Sequence, residues 1–168
     1  SEALDRFYLL SKLDLTSRLI HRHHIGQPFE EGTLEATHYQ ENLEAVLQIV
    51  ERIRQRGYAL TPGILLYCSL VSFQTQTDPQ LADEEALRFN QMLDALAKEV
   101  PDYRREDFKT LLRSHWSRRY AQTKKRALLE RLHQLHLEQV ARFRQMQKGI
   151  PNSYFRNILQ VALKLGHT

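Results

Sequence analysis

The sequence predicts an all-α protein of about seven helices, packed as antiparallel pairs in a solenoid-like, tetratricopeptide-like array or a compact helical bundle. Three observations carry that prediction. Apolar residues recur at helical spacing along most of the 168 residues, and 42% of the chain is apolar, enough for one substantial core. The six glycines and five prolines are few, and most fall between the periodic segments. Threonine-rich or valine-rich alternating runs, the mark of half-buried strands, are absent.

The first helix spans about Ala3–His24, with Phe7, Leu10, Leu13, Leu15 and Ile20 as apolar positions, and Gly26-Gln27-Pro28 ends it. Thr33 caps the second, about Leu34–Arg56, whose stripe is Leu43, Val46, Leu47, Val50 and Ile53. Arg52, Arg54 and Arg56 suit the negative end of its dipole, and Gly57 stops it. Thr61-Pro62 reads as N-cap and first helical residue, because proline loses nothing where the amide has no partner. The third helix, to about Gln76, is apolar nearly all round and is the most buried element expected. Asp78-Pro79 repeats the cap signal, with Asp83 as a later alternative, and the fourth helix runs to about Lys98 on Leu81, Leu87, Met92, Leu93 and Leu96. Pro101 breaks it. The fifth, about Glu106–Lys124, turns Phe108, Leu111, Leu112, Trp116 and Tyr120 inward. The last two form a hairpin over Lys125–Gly166, hinged at Gly149-Ile150-Pro151-Asn152, with Leu128, Leu132 and Leu135 facing the broad apolar side of the final helix.

The helices also repeat. The second, fourth and sixth centre near residues 45, 90 and 135, and the third, fifth and seventh near 68, 114 and 159. A step of about 45 residues lies in the range of paired-helix repeats and exceeds the roughly 34 of the tetratricopeptide class. Sliding the odd helices over one another aligns Ile64, Phe108 and Phe155, then Tyr67, Leu111 and Ile158, then Cys68, Leu112 and Leu159. The chain opens on Ser1 rather than Met, which suits a fragment of a longer helical-repeat protein read as one domain over 1–168.

Leu4-Asp5-Arg6-Phe7-Tyr8-Leu9-Leu10-Ser11-Lys12-Leu13 resembles the opening of a group of uncharacterised bacterial tetratricopeptide-like helical-repeat proteins. Ser153-Tyr154-Phe155-Arg156-Asn157-Ile158, followed by Leu163-Lys164-Leu165-Gly166, is similar to a later helix of the same group. The resemblance implies a helical array and transfers no catalytic residue.

Candidate chemistry meets simpler explanations. His21, His23 and His24 crowd Arg22 and have no carboxylate three or four residues on to complete a metal site, while His133 and His136 have the i, i+3 spacing but lack further ligands. Glu30-Glu31, Asp83-Glu84-Glu85 and Asp102 with Glu106-Asp107 stand at helix starts, where the dipole favours them. Cys68 lies in the most apolar helix with no cation beside it, so it reads as a core residue. No Gly-rich phosphate loop, nucleophile elbow or dinucleotide fingerprint occurs, and neither an enzyme, a cofactor nor a metal is expected. No run reaches the roughly 20 apolar residues of a membrane span, and residues 1–25 lack the apolar core of a signal peptide. With a single cysteine, a reducing cytoplasm is the expected location.

Charge is the informative feature. Residues 27–100 hold five Lys/Arg against twelve Asp/Glu, whereas residues 104–148 hold thirteen against four. Arg113, Arg118, Arg119, Lys124, Lys125, Arg126 and Arg131 mark a surface for a protein partner, for the acidic half of the chain, or for nucleic acid. Trp116 and Tyr120, four apart beside Leu112, have the spacing of core residues rather than of stacking platforms. The second expected surface is the final helix, where Tyr154, Ile158, Val161 and Leu165 form an association face for a second copy, a partner or further chain. The function expected is a non-enzymatic interaction or structural module, binding along the polar sides of the odd helices, with nucleic-acid binding as the alternative.

Overall fold

A computed structural model describes residues 2–24, 33–56 and 61–167. Among them are seven helices and no strand: α1 (Glu2–His24), α2 (Leu34–Arg56), α3 (Pro62–Thr75), α4 (Pro79–Ala95), α5 (Asp102–Thr123), α6 (Arg126–Gln145) and α7 (Asn152–Leu165). The helix-ending Gly26-Gln27-Pro28 and Gly57, and the Glu30-Glu31 pair, lie outside the described residues. So do the side chains of residues 4–6 and those of His23, His24, Val50, Ile53, Arg54 and Arg56. No helix among the described residues is long and apolar enough to cross a membrane.

The capping residues act as their chemistry requires. Thr33 Oγ1 accepts from the Ala36 amide at 3.2 Å, Thr61 Oγ1 from Ile64, and Asp78 Oδ1 from Gln80 and Leu81 at 2.8 and 3.1 Å. Pro62 and Pro79 follow their caps directly. α4 stops at Ala95, short of Lys98, where tight turns bond Leu96 to Met92 and Ala97 to Asp94. α5 begins at Asp102 rather than Glu106, because the Pro101 carbonyl already accepts from the Arg105 amide at 3.0 Å.

The chain divides into two compact units, Ser1–Arg105 and Glu106–Thr168, the division falling in the first turn of α5. In the first unit α3 packs closely on both α1 and α4, and α2 packs on α1. α1 and α3 run parallel, since Asp14 meets Tyr67 and Ser17 meets Gln74. Ile64, Leu66, Tyr67, Cys68, Leu70, Val71 and Phe73 of α3 are buried, as its all-round apolar sequence predicts. α1 contributes Leu13 and Ile20 flanked by buried Thr16 and Ser17, and Phe7 and Leu15 stay in water. The inward face of α4 also differs from the expected one: Ala82, Ala86, Phe89 and Leu93 are buried and Leu81 is exposed. Two alanines let α3 and α4 approach closely enough for Phe73 and Phe89 to meet at 5.4 Å between ring centroids.

In the second unit α6 and α7 form the antiparallel hairpin. The Arg126 guanidinium at the start of α6 donates to the Leu165 carbonyl at the end of α7 (3.2 Å), and Phe143 meets Tyr154 at the opposite end, 6.0 Å between centroids. Gly166, at φ 81°, closes α7 in the left-handed conformation that glycine adopts without a Cβ clash. α5 lies antiparallel to α6, joined by long polar side chains: Trp116 meets Arg131, Lys109 meets Glu138, and Glu106 meets Arg142.

Candidate functional site

The basic stretch separates into two populations. Arg113 is buried and donates to the Glu106 carboxylate and to Thr110 Oγ1 at 2.7 Å. Glu106 also accepts from Gln139 Nε2 at 3.2 Å and from Arg142 at 3.1 Å. One carboxylate thus accepts from three donors, Arg113 within α5 and Gln139 and Arg142 across from α6. Arg113 is therefore an internal strut and not the surface residue the sequence suggested, because Glu106 stands seven residues earlier, two turns along the same face. Behind the strut His136 is buried, and its Nδ1 meets no hydrogen-bonding partner among the described atoms. Burial, then the Arg113 charge, then His133 push its pKa down to about 4. His133 is also lowered, by burial and by the stacked His167, 5.1 Å away. Among the described residues no group of three His, Cys, Asp or Glu could hold a metal ion.

The second population gathers around Tyr120. Lys124 of the α5–α6 turn and Lys164 of α7 each place Nζ 5.6 Å from its ring centroid, and Arg131 of α6 lies 5.5 Å from the Trp116 ring one turn back. Trp116 is buried and Tyr120 half-buried, as their spacing predicts. Lys125 is exposed at the N-cap of α6. Arg126 is taken up by Glu130 at 3.0 Å and by the Leu165 carbonyl. Arg118 is half-buried on the far side of α5, since two residues turn a helix by about 200°. Burial, then Arg119, lower its pKa. Arg119 bonds Gln122 at 3.2 Å. Of the seven predicted cations, Lys124 and Arg131 thus remain together at the Trp116–Tyr120 face, Lys164 joins them from α7, and Lys125 stands exposed next to Lys124 in the chain.

On α7 the predicted association face is turned mostly inward. Val161 and Leu165 are only 7% and 5% exposed, Ile158 is half-buried, and Tyr154 sits at the margin against Phe143. That edge packs on α6, so Val161 and Leu165 are core and not docking residues. The neighbouring edge is the uncovered one: Phe155, Leu159 and Leu163, at i, i+4 and i+8, are 55%, 45% and 59% exposed. Leu163 and Lys164 read in the sequence only as part of the final helix and not as surface-forming residues, although their pattern holds a signal. Residues 139–168 contain five Lys/Arg and no Asp or Glu, so the Phe155-Leu159-Leu163 stripe stands in a stretch of chain whose charged side chains are all cationic.

No family model, curated protein or solved structure matches the chain, and its site rests on the geometry of its own residues.

Proposed function

We propose that the chain is a non-enzymatic interaction module, built as a tetratricopeptide-like helical array and working in a reducing cytoplasm. Its contact surface is the Phe155-Leu159-Leu163 stripe of α7, and its partner presents an acidic amphipathic helix. One observation carries this reading. Phe155 and Leu159 occupy the register of Ile64 and Phe108, and of Cys68 and Leu112, which are buried in α3 and α5, yet both are exposed in α7. The stripe is a core face without its next layer. Burying each such side chain is worth roughly 1.5–3 kcal/mol, so three together are a strong drive to bind. The positive charge of residues 139–168, with Arg144, Lys148 and Arg156 exposed and no Asp or Glu in that stretch of chain, selects an acidic partner and repels a second copy of the same surface.

The test uses two labelled peptides with leucines at i and i+4, one carrying glutamates elsewhere and one lysines. Fluorescence anisotropy should show saturable binding of the acidic peptide alone, lost in Leu159→Glu. Binding of both peptides alike, or of neither, would contradict the reading.

A further inference from the structure

We infer that the α5–α6 turn, together with Lys164 and Arg131, is a binding seat for phosphate groups, separate from the α7 stripe. Three cations, Lys124 from the α5–α6 turn, Arg131 from α6 and Lys164 from α7, converge on the face that carries Trp116 and Tyr120, and Lys125 follows Lys124 directly in the chain, exposed. Among the described residues none of Lys124, Lys125, Arg131 and Lys164 pairs with a carboxylate, and Glu130, the residue before Arg131, is held by Arg126. The local backbone sharpens the concentration of charge. Helices α2, α3 and α4 begin on an oxygen-bearing cap, whereas α6 and α7 have no side-chain cap and no acidic residue in the first turn, and α6 alone of these two begins on a cation, Lys125. Lys124, Lys125 and Arg126 therefore stand at the positive end of a helix dipole, against the usual preference. Lys124 is also held at φ 55°, a left-handed conformation uncommon for a residue with a side chain.

Clustered like charges are relieved by an anion carrying several negative charges. The donors are point-charge ammonium groups and one guanidinium, which suit phosphate oxygens. Trp116 is buried and Tyr120 is occupied by two lysines, so neither ring is open to stack a base. Recognition is of phosphate and is independent of sequence. The phosphates come from a free polyphosphate or from a nucleic-acid backbone.

The full chain is titrated with sodium tripolyphosphate and with a labelled 20-nucleotide single strand, against sodium chloride at equal ionic strength. Tripolyphosphate should raise the melting temperature beyond the chloride control. The triple variant Lys124→Ala, Lys125→Ala, Lys164→Ala should remove that shift and weaken oligonucleotide binding roughly ten-fold, with a flatter salt dependence. Lys164→Gln alone should give a smaller loss in the same direction, and Leu159→Glu should leave phosphate binding intact. Response to both probes assigns a backbone ligand, and response to tripolyphosphate alone assigns a free polyphosphate; either supports the seat. No response beyond chloride, or undiminished binding by the correctly folded triple variant, would overturn it.

Discussion

In Ser1–Arg105 the side chains withdrawn from water are chiefly hydrocarbon: Leu13 and Ile20 of α1, seven apolar residues of α3, and Ala82, Ala86, Phe89 and Leu93 of α4, with Thr16, Ser17 and Gln74 as small polar additions. In Glu106–Thr168 Lys109, Arg113, His115, His136 and Gln139 are buried alongside Phe108, Leu112, Trp116 and the leucines of α6. Hydrocarbon contact is non-directional and rewards close approach, so the first unit gains from alanines that bring helices together. A carboxylate shared by Arg113, Gln139 and Arg142 rewards one register only, so the second unit gains alignment at the expense of burying charge. The second unit also leaves Phe155, Leu159 and Leu163 outside. That stripe is the surface proposed above to meet a partner.

Breaking each interior in turn should separate the two. Phe89→Ala removes a fully buried ring from the first unit and should cost about 3–5 kcal/mol in chemical denaturation. Glu106→Gln removes the charge that holds Arg113 and Arg142. Because Glu106 is partly exposed, the expected loss is smaller, about 2 kcal/mol, read as faster hydrogen exchange in α5 and α6 with α3 unchanged.

Acid should act on the second unit first. His136 has its pKa depressed from 6.5 to about 4, so the unfolded chain binds the proton more readily than the folded one. Stability is full above pH 6.5 and falls as the pH drops from 6.5 toward 4, by on the order of 1–3 kcal/mol. Asp14 of the first unit behaves differently. Burial raises its pKa, but the Tyr67 hydroxyl at 2.7 Å, Arg18 and Arg104 outweigh burial and hold it below 3.8. Its contribution is lost only as the pH falls through that lower value. Hydrogen exchange at pH 5 should therefore accelerate in α6 before α3, and equal acceleration in both would remove the distinction.

The smallest effect separates the two edges of α7. Leu165→Lys puts a charge into the α6 contact and should destabilise the hairpin by about 2 kcal/mol, whereas Phe155→Lys should change stability by about 0.5 kcal/mol or less. Melting curves of the two variants decide the matter.

Local signals carried much of this fold. Thr61-Pro62, Asp78-Pro79, Thr33 and Gly166 announce helix ends within a few residues of chain, and the all-round apolar character of α3 marks it as central. Long-range choices did not show. The face of α4 is set by alanines that fit beneath α3, while the sequence draws attention to its larger leucines. Whether an arginine is strut or surface depends on distant partners: Arg113 shares its carboxylate with residues 33 and 36 positions beyond Glu106, and Lys124 and Lys164 meet only at Tyr120. On α7 the apolar arc was plain, and which edge α6 would cover was not, since both edges carry equally large side chains.

The uncovered edge can be tested at the level of single residues. Amide chemical shifts of the full chain, followed while the acidic amphipathic peptide is added, should move at Phe155, Arg156, Leu159 and Leu163 and stay fixed in α3. Movement centred on the polar sides of α3 or α4, or none along α7, would contradict the claim that this stripe is the docking surface.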